Sequence, residues 1–263
     1  MDRADFLIPE PMIWHAFESL IHAGLVMEQG RVSGPVEGWA GGPVVHLDLK
    51  PENVFIGEYP SPIAHQDFAM YPTFVLADFG HALDDRRNPQ AYDTYRRRGT
   101  PDYQAPEQVT DDHYRGPRPI DPLNTKTNVW GVGLVVMILM NLDINTANLD
   151  SFDARVNNRR DPNVISVFRS EAVRKYSQKL RDMVNSCLPF SQANRPTFDV
   201  LLRQLRDATG WPDQGVQQHD YAQGARSAAT SNIPLNDPRR LLHLRTNEYA
   251  VGLTPPPPPN LPI

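Results

Sequence analysis

Val44-Val45-His46-Leu47-Asp48-Leu49-Lys50-Pro51-Glu52-Asn53-Val54-Phe55-Ile56 is the stretch on which the rest of the chain turns. Two apolar runs flank a tight polar loop. Both are rich in β-branched and aromatic residues, so each reads as a short buried strand. The loop between them holds an acid, a base and an amide. Asp48 can accept a proton from a hydroxyl, and Lys50 can neutralise an anion. Asn53 offers a neutral oxygen, the ligand type that hard cations take. Pro51 stiffens the loop and removes a donor. A second strand-like run, Phe74-Val75-Leu76-Ala77, ends in Asp78-Phe79-Gly80. An acid at a strand end, followed closely by Gly, suits a metal ligand on a tight turn. A third block, Gly99-Thr100-Pro101-Asp102-Tyr103-Gln104-Ala105-Pro106-Glu107, follows.

In this order and spacing the three blocks resemble the catalytic loop, the D-F-G turn and the A-P-E block of eukaryotic protein kinases. Any one alone is weak; three ordered blocks make a strong signal. The resemblance runs from about Pro11 to Leu205. It implies a mainly α fold: a kinase-like large helical lobe with short β-strands around the catalytic loop. The domain is expected over residues 1–208, with a Pro-rich, disordered tail over 209–263. Carried over residue by residue, Asp48 would be the catalytic base that orients the substrate hydroxyl, and Lys50 would steady the transferred phosphate. Asn53 and Asp78 would bind Mg²⁺. Phe55 would lie under the adenine of ATP, and Thr100 would bond to Asp48 and Lys50. A Lys two residues after the Asp looks like the serine/threonine class.

Three departures matter. The family's H-R-D is His46-Leu47-Asp48, so the Arg that receives an activation-loop phosphate is absent. The family's D-x-W is Asn128-Val129-Trp130, where Asn keeps a carbonyl acceptor but loses the charge; weaker bracing of the catalytic loop is expected. The family's small lobe has a Gly-rich loop over the phosphates, a strand Lys and a helix Glu paired with it. No G-x-G-x-x-G precedes His46, and the first lysine is Lys50. Such a lobe takes roughly 60 or more residues by ordinary element and loop lengths. The chain therefore looks like a kinase large lobe without its small lobe.

Composition sets wider limits. With 263 residues, 40% hydrophobic and 22% charged, a sizeable core is possible. A net charge of -5 argues against a general nucleic-acid or anionic-membrane binder. The lone Cys187 permits no intrachain disulfide and, in an apolar helical context, reads as a buried inert thiol. Met1 to Glu10 does not read as a secretory signal, and the longest apolar run, Val129 to Met140, is too short to span a bilayer. The expected location is cytosol or nucleus.

Helical periodicity is expected over Pro11 to Gln29, Lys126 to Leu142, Val164 to Tyr176, Gln178 to Leu188 and a last stretch through Leu205. The first is amphipathic, with His15 and His22 on or near its surface. The second is apolar on all faces and so buried, with Gly131 and Gly133 lowering its intrinsic propensity. Pro196 suits the first turn of the last helix. The glycine-rich 31–43 loop is a poor phosphate cradle, since no strand precedes it and no helix follows. His65 and Asp67 read as solvated, and Asp84 to Arg98 as a solvated loop that resembles the activation segment, with Thr94 and Tyr95 as candidate phosphorylation sites. Arg239 to Arg245 has the pattern of a short helix. Phe190 to Thr197 resembles the family's R-P-T block, which implies a Glu107–Arg195 ion pair, either buried and costly to break or exposed and worth little. Pro255 to Pro259 should form polyproline II, either a docking segment for an SH3- or WW-type partner or a plain tail.

Three functions compete. The first is a serine/threonine protein kinase acting on a protein hydroxyl. The second is a pseudokinase-like scaffold with a regulatory partner and no turnover. The third is a small-molecule phosphotransferase of the aminoglycoside-kinase type, against which the intact Gly99 to Glu107 block argues. Motif retention favours kinase ancestry; the missing lobe favours little activity in this chain alone.

Overall fold

Pro9, with φ -58°, stands at the N-cap of the first helix and Pro11 lies in its first turn, where the fixed proline φ suits a helix start. A computed structural model describes residues 7–30, 42–57, 71–84, 95–96, 98–108, 122–142 and 168–209. Helix α1 spans Glu10–Gln29 and stops at Gly30, whose φ of 82° gives a left-handed cap with its N–H on the Val26 carbonyl. Every residue from Pro11 to Ile21 is buried, so α1 has no solvent face over its first three turns. This corrects the surface placement of His15. Its ring is 1% exposed, reaches the Pro72 carbonyl through Nε2 at 3.1 Å, and lies against Tyr71 and Phe74. His22, further along, is half-buried.

Helix α2, Thr125–Asn141, is the buried post of the fold. A capping box starts it: Asn124 Oδ1 accepts from Lys126 N at 2.8 Å, and Thr127 Oγ1 accepts from Asn124 N at 3.3 Å. Its two glycines are sites of close approach. A Cβ on Gly131 would come within 2.5 Å of Leu49, and one on Gly133 within 2.4 Å of Cys187. One side of α2 thus admits the catalytic loop, and another admits α4.

Helices α3 (Ser170–Lys175), α4 (Gln178–Cys187) and α5 (Phe198–Thr209) complete the described helical set. The helix expected from Val164 begins at Ser170 among the described residues; residues 164–167 lie outside them. Pro196 falls outside α5, a correction with a local cause. The backbone of Arg195 is extended, as the residue before a proline prefers. Thr197 then supplies the cap, with Val200 N donating to its Oγ1 at 3.4 Å. Trp14, Phe17, Trp130 and Phe198 fill the space between α1, α2, α4 and α5.

Four short strands form two antiparallel ribbons. Strand β1 (Val44–Val45) pairs with β4 (Leu83–Asp84), and β2 (Val54–Ile56) pairs with β3 (Phe74–Leu76) in the register Phe55↔Val75. The second ribbon is not buried on both faces, as its apolar sequence suggested. Phe55 is 58% exposed and Val75 45%, because the ribbon packs one face on α1 and leaves the other open. Cys187 is buried, in keeping with an inert thiol. The tail beyond Thr209 (with Pro255 to Pro259 and the helix expected over 239–245), the 31–41 part of the Gly-rich loop, Thr94, His65 and Asp67 lie outside the described residues.

Candidate active site

The loop after β1 turns sharply. Leu47 has φ 66°, a left-handed conformation that a branched side chain rarely takes. Two things hold it. Its side chain packs with Val45, Leu83 and Leu123 in a second small core. Its carbonyl lies so close to Gly99 that a Cβ there would sit 2.1 Å away; Gly99 itself has φ 87°. Only glycine satisfies both conditions at position 99.

Asp48, next in line, is 4% exposed and is the hub of the loop. Its Oδ1 accepts from Thr100 N and from Thr100 Oγ1, each at 2.8 Å. Lys50 Nζ donates to Thr100 Oγ1 at 2.8 Å and lies 3.2 Å from Asp48 Oδ2. Asn53 Nδ2 donates to the Asp48 carbonyl at 2.8 Å and to Oδ2 at 3.2 Å. Burial pushes the Asp48 carboxyl up, but the Thr100 and Lys50 hydrogen bonds outweigh that and leave it below the usual aspartate value. It is therefore ionised at neutral pH. Asp48, Lys50 and Thr100, expected together from sequence, are joined here by bonds across 50 residues of chain.

His46 is fixed in one neutral form. Burial lowers its pKa against the raising effects of the Ala77 carbonyl and the Asp48 and Asp78 charges. The Asp48 N–H donates to Nδ1 at 3.3 Å, so the proton resides on Nε2, which donates to Ala77 O at 3.0 Å. Its ring meets Phe79, 4.8 Å between centroids. The catalytic loop thereby grips the D-F-G turn.

The bracing expected to weaken at Asn128 is present, and it uses both ends of the amide. Oδ1 accepts from His46 N at 2.9 Å, and Nδ2 donates to Val44 O at 2.8 Å. A carboxylate can make only the first bond. Charge is lost, but a donor is gained.

Asn53 and Asp78 stand side by side where the second ribbon ends, because Ala77 N donates to the Asn53 carbonyl at 2.9 Å. Asp78 is exposed, in a left-handed conformation (φ 61°), and accepts from Gly80 N at 3.3 Å. Asn53 spends its amide nitrogen on Asp48, which leaves its oxygen for a cation. Among the described residues no three His, Cys, Asp or Glu side chains form a metal cage. One carboxylate and one amide oxygen nevertheless fit Mg²⁺, which binds through few protein ligands and completes its shell with waters and phosphates. Phe55, expected beneath adenine, stands on the open apolar face with Val75.

The A-P-E block is anchored from below. Arg195 NH1 and NH2 meet Glu107 Oε1 and Oε2 at 2.7 and 2.9 Å, a bidentate pair that is 0% and 2% exposed. The Arg195 charge holds the buried Glu107 carboxyl below its usual range. The segment read as solvated is not so in its described part. Arg96 is buried and donates from NH1 to the Glu107 carbonyl at 2.7 Å, and Arg98 lies 4.1 Å over the Tyr95 ring. Sequence reasoning missed Arg96 and also Gln108, which reaches the Leu47 carbonyl. Neither carried a local signal, since each partner is fixed only by the fold.

The protein kinase domain family matches residues 40–205, more than half of the chain. The chain belongs to the protein kinase family. Death-associated protein kinase 2 of Mus musculus is 24% identical over 163 residues, covering 61% of this chain and 37% of that protein. Serine/threonine-protein kinase ULK3 of Xenopus laevis is 32% identical over 95 residues, covering 35% and 15%. Striated muscle preferentially expressed protein kinase of Danio rerio is 28% identical over 97 residues, covering 37% and 2%. The chain spans well under half the length of each of these kinases. All three sequence blocks fall inside the matched residues, and the kinase-domain match ends at Leu205, in α5. No described helix of this kinase-family chain is long and apolar enough to cross a membrane.

Proposed function

We propose that this chain carries the large-lobe half of a serine/threonine protein kinase site, for ATP-dependent phosphoryl transfer to a protein hydroxyl. The observation that carries the reading is the Asp48–Thr100–Lys50 triangle. A carboxylate with a depressed pKa is a weak base, so Asp48 serves chiefly to orient the hydroxyl and takes its proton late, which suits a loose transition state. Lys50 places an ammonium beside that carboxylate, where the transferred phosphoryl would pass. Thr100 holds both groups in place. Asn53 and Asp78 would hold Mg²⁺, which when bound neutralises charge on the phosphates. Phe55 and Val75 offer an apolar floor to the adenine.

A second reading rests on one observation. Residues 1–49 contain no lysine and no G-x-G-x-x-G, so these residues alone leave the α- and β-phosphates without the strand ammonium or the covering loop. The chain by itself then turns over little ATP and acts as a binding scaffold toward a protein partner. Incubating the purified chain with labelled ATP, Mg²⁺ and a basic protein separates the cases. Incorporation just above background that disappears in Asp48→Ala supports a kinase impaired in this chain. Robust incorporation that vanishes in Asp48→Ala overturns the impairment. Incorporation indifferent to Asp48→Ala sinks the kinase site.

A further inference from the structure

Gln108 directly follows the A-P-E glutamate and is 3% exposed. Its Oε1 accepts from Ala105 N at 3.0 Å. Its Nε2 donates to the Leu47 carbonyl at 2.9 Å and to the Arg98 carbonyl at 3.2 Å. Both amide protons are thus spent, on two segments far apart in sequence. Leu47 is the residue before Asp48, in its left-handed conformation; Arg98 stands two residues before Thr100. A backbone held off its preferred region persists only when its surroundings fix it. The one amide therefore grips the main chain on either side of the Asp48–Thr100 contact. Through Ala105 it is itself tied to the turn whose Glu107 is locked to Arg195.

We propose that Gln108 is a positioning residue, a cross-tie that keeps the Leu47 and Arg98 backbones in the register that lets Thr100 bond to Asp48. Its functional meaning rests on the catalytic role proposed for Asp48; the structural coupling does not. The side chain needs Gln's chemistry. Met has the same reach and no donor. Glu would turn a carboxylate oxygen toward two carbonyl oxygens, a repulsive arrangement in a buried place.

The test uses the full chain, as wild type, Gln108→Met and Gln108→Glu, with no nucleotide present. One local readout is followed by NMR: amide exchange at Thr100 against a core amide such as Leu205. Gln108→Met should speed Thr100 exchange about tenfold relative to Leu205, the factor one lost hydrogen bond gives. A packing role alone would not move Thr100 exchange relative to the core. Where the variants do not fold, the wild-type chain still decides: the Gln108 side-chain amide protons must exchange slowly and show scalar coupling to the Leu47 and Arg98 carbonyl carbons. Unchanged Thr100 exchange in a folded Gln108→Met, or a fast-exchanging Gln108 amide, overturns the inference. Failure of the catalytic reading is a separate result, since it is read as turnover indifferent to Asp48→Ala.

Discussion

Glu107→Ala should unfold this protein far more readily than Asp48→Ala, although Asp48 is the proposed catalytic residue. The reason lies with Arg195. All five of its N–H groups are used: two on Glu107, and one each on the Pro189, Lys126 and Phe190 carbonyls at 2.9, 2.9 and 3.0 Å. Its side chain is 0% exposed and stacks over Trp130, 5.0 Å from guanidinium carbon to ring centre. Removing Glu107 leaves a full charge buried against three carbonyl dipoles. Breaking such a pair costs about 3–5 kcal/mol. Removing the Asp48 side chain is milder. Lys50 is 21% exposed and can turn to water, and Asn53 keeps its bond to the Asp48 carbonyl. The loss there is about 1–2 kcal/mol, the penalty for the orphaned Thr100 N–H. With a urea m-value of about 2 kcal/mol/M, the midpoint falls by about 1.5–2.5 M for Glu107→Ala and about 0.5–1 M for Asp48→Ala. Urea titrations followed by circular dichroism measure both. Equal midpoints, or a larger fall for Asp48→Ala, would refute the assignment of Glu107 to structure and Asp48 to chemistry.

Three further outcomes are expected. Burial, partly offset by Arg206, raises Glu18 to about 8, so the folded chain keeps a proton that the unfolded chain releases near 4.5. Stability then falls as pH rises through that window, and Glu18→Gln should flatten the decline in urea midpoint between pH 6 and 8; an unchanged slope counts against it. The neighbouring His15 and His22, lowered to about 4 by burial, act oppositely, withdrawing stability as pH drops below about 6.5. Asn128→Asp restores the family's residue yet should cost about 2 kcal/mol, because it sets a carboxylate oxygen against the Val44 carbonyl; a midpoint equal to wild type would disprove the two-ended bracing. Mg²⁺ and ATP together at millimolar levels should raise the melting temperature slightly, and either alone hardly at all, since each completes the other's site. Asp78→Asn should abolish that joint shift; a full shift from ATP in excess chelator would rule out the proposed metal ligands.

The sequence by itself determined the family, the order of the blocks and the main helices. The helix expected from Pro11 begins one residue earlier, and the one expected from Lys126 is shifted by one at each end. Apolar periodicity and caps are local, so they survive being read one residue at a time. The Glu107–Arg195 pair was legible as well, but only because the family pattern names both partners. Tertiary structure decided the rest. Whether His15 faces water or Tyr71 depends on what packs against α1, not on α1's own pattern. Phe55 looked like a core residue and is 58% exposed, because among the described residues its ribbon packs on α1 with one face. Gly131 and Gly133 read as weak helix formers, and proved to be the places where a loop and a helix come too close for a side chain. Gln108 carried no signal at all: a buried amide takes its meaning from the two carbonyls it meets, and chain order does not reveal that Leu47 and Arg98 share one donor.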